Sequence, residues 1–208
     1  MGLQRATYVP SSTSWRCGRR HGAEGAIRWT QTESPITRVR GGALVGKTEK
    51  AEAWATAVGE RFELTPPIDV EGLVSKLGID LVRAKLSRRF DGVIVEEDSG
   101  RYVMIINSRH HITRQRFTIA HEIGHWLMHR RSLENLGVSL RLQRRRRYNI
   151  EREANAFAAA LLMPRDDVIR SFHLGLSFQE LVERYAVSRQ SLGYRLQELG
   201  LIPAEDYA

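Results

Sequence analysis

Cysteine is almost absent from this 208-residue chain. Cys17 stands alone, which excludes an internal disulfide framework and any zinc site built from several thiolates. No apolar run approaches the roughly 20 residues that a membrane-spanning helix needs. The first residues also lack the apolar core of a secretory signal, so the expectation is a soluble, cytoplasmic protein with no membrane partner. Acidic residues are scarce at the start: residues 1–50 hold three Glu against nine Lys/Arg, whereas residues 51–208 hold 21 Asp/Glu against 23 Lys/Arg. The overall charge of +8 is therefore concentrated in the first fifty residues. These sums do not indicate a basic face for nucleic acid spread over the remainder.

What is present divides the chain in two. Residues 1–48 are rich in Arg, Gly, Ser and Thr and show no sustained period. They read as a basic, disordered N-terminal arm or a mis-called start, with a nucleic-acid or transit segment as a third reading, and are expected to be dispensable. Residues 49–208 read as one α+β domain. A helix is expected over 49–64, broken by Pro66-Pro67; a second is capped by Asp69, carries Val70, Leu73, Val74 and Leu77, and stops at Gly78. Ile79–Val82 suits a strand. Gly92–Glu97 and Arg101–Asn107 suit a hairpin around Asp98-Ser99-Gly100. Helix follows from Gln115 to about Arg130. A loop bearing Arg141 and Arg144–Arg147 is expected next, then helix from about Asn149 until Pro164 forces an end near Met163. Two or three short helices are expected to close the chain, over about 165–172, 177–185 and 188–199.

Within the helix after the hairpin, His121-Glu122-Ile123-Gly124-His125 matches H-E-x-x-H. Residues four apart share a helix face, so both imidazoles can reach one ion while Glu122 projects beside them as a proton acceptor. Zinc suits imidazole and carboxylate ligands, and a catalytic site leaves one position open. Such a site needs a third protein ligand. His129 is excluded because it lies about 12 Å along the helix from His121; packing or a supporting role suits it better.

The helix near residue 150 supplies a better ligand. Its apolar stripe is Ala154, Phe157, Ala158, Leu161 and Leu162; on a helical wheel Glu151 lies about 60° from the stripe's centre and Glu153 about 100° away on the other flank. Glu151 thus points toward the inner edge, with Asn155 one turn on as a polar support, and Glu153 is the alternative ligand.

The stretch Arg116-Phe117-Thr118-Ile119-Ala120-His121-Glu122-Ile123-Gly124-His125, then Glu151-Arg152-Glu153-Ala154-Asn155-Ala156-Phe157-Ala158 and Leu161-Leu162-Met163-Pro164, resembles the ImmA/IrrE metallopeptidases. Pro66-Pro67-Ile68-Asp69-Val70 fits that family's usual N-terminal segment, and the likeness runs over about residues 50–200. The resemblance implies a small twisted sheet with zincin-like active-site helices and a helical C-terminal region. It implies one Zn2+ per chain on His121, His125 and Glu151, with Glu122 as catalytic acid/base. It also implies a protein substrate, a separate helix-turn-helix repressor whose cleavage releases the genes it silences.

The last helices, over 177–200, resemble a helix-turn-helix, but three Arg and three Glu cancel there, where a DNA reader needs a basic recognition helix. Packing against the domain, through Val187, Leu192, Leu196 and Leu199, is the plainer reading. Arg144–Arg147 is a solvated charge run or the border of a substrate cleft. The expected function is therefore a zinc-dependent endopeptidase. Its rivals are a DNA-binding transcriptional regulator with a structural or sensory metal site, and a protease-derived module that only sequesters its partner.

Overall fold

The structure is a computed structural model that describes residues 47–129 and 140–203, with the side chains of 47 and 140–147 excepted. The expectations for residues 1–46 and for the loop over 130–139 lie outside the described residues. In chain order the elements are α1 (Lys47–Arg61), α2 (Val70–Lys76), β1 (Ile79–Ala84), β2 (Gly92–Glu96), β3 (Tyr102–Asn107), α3 (Ile112–Met128), α4 (Leu140–Leu162), α5 (Arg165–His173), α6 (Phe178–Tyr185) and α7 (Arg189–Glu198). Among the described residues this is an α+β arrangement of seven helices and one three-stranded sheet. None of these helices is long and apolar enough to cross a membrane.

Local chemistry sets most boundaries. Asp69 caps α2 by accepting the Gly72 N–H at 2.9 Å, and Gly78, at φ 73°, turns the chain out of the helix into β1. The hairpin closes over Asp98-Ser99-Gly100, with Gly100 at φ 77° and the Glu97 N–H donating to the Arg101 carbonyl at 2.8 Å. Ser177 and Glu180 form a capping box at the start of α6. One expectation is corrected: Arg144–Arg147 lie within α4, which begins at Leu140 rather than near Asn149. Arginine is a good helix former and neither Gly nor Pro interrupts the run, so charge alone is no loop signal there.

The sheet order is β1-β3-β2, with β1 parallel and β2 antiparallel to β3. β2 is consequently an edge. The Asn107 N–H bonds the Asp91 carbonyl and the Glu97 N–H bonds the Arg101 carbonyl, so the bonded pairs fall on odd positions of β2. By alternation, Ile94, opposite Met104, turns its N–H and carbonyl away from β3.

The core joins α2 (Val70, Leu73, Val74), β3 (Met104, Ile106), α3 (Ile119, Ala120, Ile123) and the α4 stripe (Ala154, Phe157, Ala158, Leu161, Leu162), all buried. Gly124 lets α3 and α4 approach closely. A Cβ there would stand 2.9 Å from Phe157 Cδ1 and 3.2 Å from its Cβ. Val187, Leu192 and Leu196 are buried too, and Leu199 packs against the same core, as the packing reading of the tail expects.

Candidate metal centre

Two helices converge on one point. On α3, His121 Nε2 and His125 Nε2 approach to 2.9 Å. From α4, Glu151 Oε2 comes within 3.3 Å of the first and 3.5 Å of the second. Ligands about 2.0–2.1 Å from a tetrahedral ion are separated by roughly 3.3 Å, so the three edges of this triangle have the size that one small divalent ion requires. Asn155 Oδ1 lies 2.8 Å from His121 Nδ1 and accepts its proton, which leaves the Nε2 lone pair bare and aimed inward. The donor set therefore fits a metal on both geometry and chemistry. Among the described residues, it is the group of three His, Cys, Asp or Glu side chains that can hold an ion.

The electrostatics of the metal-free chain favour the same use. Burial lowers the pKa of His121 against the opposing pull of Glu151. Burial, then the neighbouring His121, pushes His125 down to about 4. Both rings are therefore held in the neutral, ligating form. Glu122 moves the other way: burial first, then repulsion from Glu151, raises it to about 7, opposed by a hydrogen bond from the Ile94 backbone. That last bond uses the outward-facing N–H of β2 and ties the sheet edge to Glu122.

The remaining expected residues separate cleanly. Glu153 stands away from the triangle, its Oε2 lying 3.6 Å from His129 Nε2. His129 is buried at the end of α3, its ring centre 5.7 Å from that of His125, so it packs behind the site rather than in it.

Two contributors were missed by the sequence reading. The Ile94 N–H is a backbone group whose direction depends on strand register, and no residue type announces it. Asp91 acts electrostatically on both His121 and Glu122, while holding Arg114 at 2.7 Å and His110 at 3.0 Å. Its place just ahead of Gly92 is a turn signal that says nothing of the site.

Comparison with known proteins adds an independent line. The peptidase family model described as the IrrE N-terminal-like domain matches residues 74–197. The radiation response metalloprotease IrrE of Deinococcus deserti is 37% identical over 140 residues, covering 64% of this chain and 48% of that protein. Its namesake from Deinococcus radiodurans is 33% identical over 145 residues, covering 66% and 43%. The chain thus spans a little under half the length of the curated relatives it matches. A solved Mycobacterium tuberculosis transcriptional regulator superposes with a TM-score of 0.49 at 20% identity, over 73% of this chain and 46% of that one, a likeness too slight to bear on function. The family model covers most of the ordered core and both helices of the triangle: the chain belongs to the IrrE N-terminal-like family of metallopeptidases.

Proposed function

We propose that this protein is a zinc-dependent endopeptidase whose substrate is a regulatory protein, a separate helix-turn-helix repressor, and that residues 49–208 form its metallopeptidase domain. The observation that carries the reading is the convergence of His121, His125 and Glu151 beside Glu122. These three side chains would hold the ion, with Asn155 orienting His121. A divalent metal held there supplies Lewis-acid polarisation of the scissile carbonyl and acidifies water.

The chain's own groups do the rest. Glu122 takes the proton of the attacking water and returns it to the leaving amine. The outward N–H and carbonyl groups of Gly92 and Glu96, with the Ile94 carbonyl, can pair with an extended substrate segment, whose backbone would lie alongside Glu122 on the Ile94 N–H. Zinc is favoured by the two-imidazole, one-carboxylate set.

The DNA-binding rival finds little support. Arg184 is bound to Asp167 at 3.0 Å, and Arg189 donates to Gln179 at 3.0 Å and lies over the Phe178 ring. Arg195 is buried against Glu52 and Glu198 at 2.7 and 2.8 Å. The cations of the helix-turn-helix-like segment are thus engaged within the fold.

The test is to incubate the zinc-loaded chain with the helix-turn-helix protein encoded nearest to it and map fragments by mass spectrometry. One internal cut, abolished in Glu122→Gln while zinc content is retained, is expected. An intact partner, or equal cutting by Glu122→Gln, would contradict the proposal.

A further inference from the structure

Beside the metal centre the surface changes character. Asn107, fully buried at the end of β3, knits two loops together. Its Nδ2 donates to the carbonyls of Ser87 and Phe90, each at 2.8 Å, and its Oδ1 accepts from the N–H groups of Leu86 at 3.2 Å and Arg109 at 3.1 Å. These loops carry Lys85, Arg88, Arg89 and Arg109. All four side chains are exposed, and none has an ion-pair or hydrogen-bond partner among the described residues. The one acid on the loops, Asp91, is already taken by Arg114 and His110. Asn107 thus holds together the backbone of two loops that carry four exposed, unpaired cations, a local excess of positive charge.

The place of this patch decides its partner. His110 links it to the cleft, with Nε2 3.1 Å from the Arg88 carbonyl and Nδ1 3.0 Å from Asp91, the carboxylate that biases both His121 and Glu122. The chain runs from Arg88 and Arg89 through Phe90, itself 43% exposed, directly into β2, the edge strand of the sheet. Ile94, beside Glu122, marks where a scissile bond would lie. Phe90 is four residues back along the chain, roughly 13 Å at strand spacing. A polypeptide lying along β2 would therefore pass onto the cations within about six residues of the cut.

We infer that the Lys85/Arg88/Arg89/Arg109 surface is a specificity element that receives an acidic segment of the protein substrate, on one side of the scissile bond only. The inference rests on the endopeptidase reading for the identity of the occupant, and on charge complementarity with an acidic chain for its chemistry. A nucleic-acid backbone is the competing polyanion, disfavoured because the patch continues into a strand edge made to pair with peptide groups.

The test measures binding apart from turnover. Fluorescent peptides with one common apolar centre carry a run of Glu, of Gln or of Lys, placed before or after that centre. Their affinities are read by anisotropy on the zinc-loaded full chain with Glu122→Gln. The expected result is about tenfold tighter binding for Glu than for Gln at one flank only. The gap should close when salt rises from about 50 mM to about 0.5 M. It should also close in the double variant Arg88→Glu/Arg89→Glu, which balances Lys85 and Arg109 with two carboxylates at exposed, unpaired positions. Equal affinities for Glu and Gln peptides, or a Glu preference that survives the double variant, overturns the inference. So does a single-stranded oligonucleotide that binds through these arginines when the Glu peptide does not. If the Glu peptide binds as expected but the wild-type chain cuts neither it nor the neighbouring regulator, the endopeptidase reading fails and the acidic-segment surface stands.

Discussion

Asn155 and His129 each touch the His121/His125/Glu151 triangle from outside it, the one by a hydrogen bond to His121 and the other by ring contact with His125. The Asn155 amide fixes the His121 tautomer across a 2.8 Å hydrogen bond, so Asn155→Ala should weaken zinc binding by about 10–100-fold. Competition against a chromophoric chelator measures this, and an unchanged affinity would show that the bond is incidental. His129 is lowered to about 4 by burial first, then by His125 and Lys50. A base with a depressed folded pKa favours the folded state above its unfolded value, and that stability is lost as pH falls from about 6.5 toward 4. In the metal-free chain His125 contributes in the same sense, whereas Glu122, raised to about 7, costs stability as pH climbs from 4.5 to 7. His129→Gln should therefore flatten the acid limb of stability: its melting temperature should drop less than the parent's between pH 6.5 and 4.5. Parallel curves would refute the assignment. At this scale the sequence was highly legible for His121, Glu122 and His125, because helical spacing is local information. It was silent on the Ile94 N–H, which exists as a site group only after β2 and β3 have paired.

The contact between α3 and α4 converts helix packing into ligand geometry. Gly124 lies between His121 and His125 and faces Phe157, with no room for a methyl group at 2.9–3.2 Å from that ring and its Cβ. Gly124→Ala should force the helices apart, at a cost of about 1–3 kcal/mol in urea unfolding, and carry Glu151 away from the histidines with a matching fall in zinc affinity. Loss of stability with affinity intact would mean that Glu151 reaches the ion by side-chain freedom rather than by helix position. Both helices were readable from their apolar stripes, and the wheel places Glu151 and Glu153 on different flanks, as the structure does: the one stands beside His121 and the other beside His129. The start of α4 was not readable, because Arg144–Arg147 satisfy loop composition and helix propensity equally well.

At the scale of the whole molecule, the C-terminal helices are locked to the rest of the fold at two points far apart in sequence. Arg116 of α3 donates to the Ala186 carbonyl at 3.1 Å and the Ile68 carbonyl at 2.8 Å, bridging the α6–α7 turn and the segment before α2. Arg195, 1% exposed, donates to the Met163 carbonyl at 3.1 Å and reaches Glu52 of α1 at 2.7 Å. Removing a buried member of such a network leaves the partner carboxylates uncompensated. Arg195→Met should cost about 3 kcal/mol, the low end for a buried pair because Glu52 and Glu198 keep contact with solvent. Unfolding should remain a single transition; two separate transitions would show the tail to be an autonomous module and revive the regulator reading. The basic patch belongs to this scale too. Net charge over residues 51–208 is only +2, so the concentration of cations on two loops was invisible to composition and emerged from the way Asn107 joins them.

The most direct test of the account is zinc titration of the metal-free chain beside its His121→Ala, His125→Ala and Glu151→Gln variants. One tight equivalent per chain is expected, lost or weakened by orders of magnitude in each variant, with the fold retained by circular dichroism. Undiminished zinc affinity in Glu151→Gln, or in either histidine variant, would contradict it.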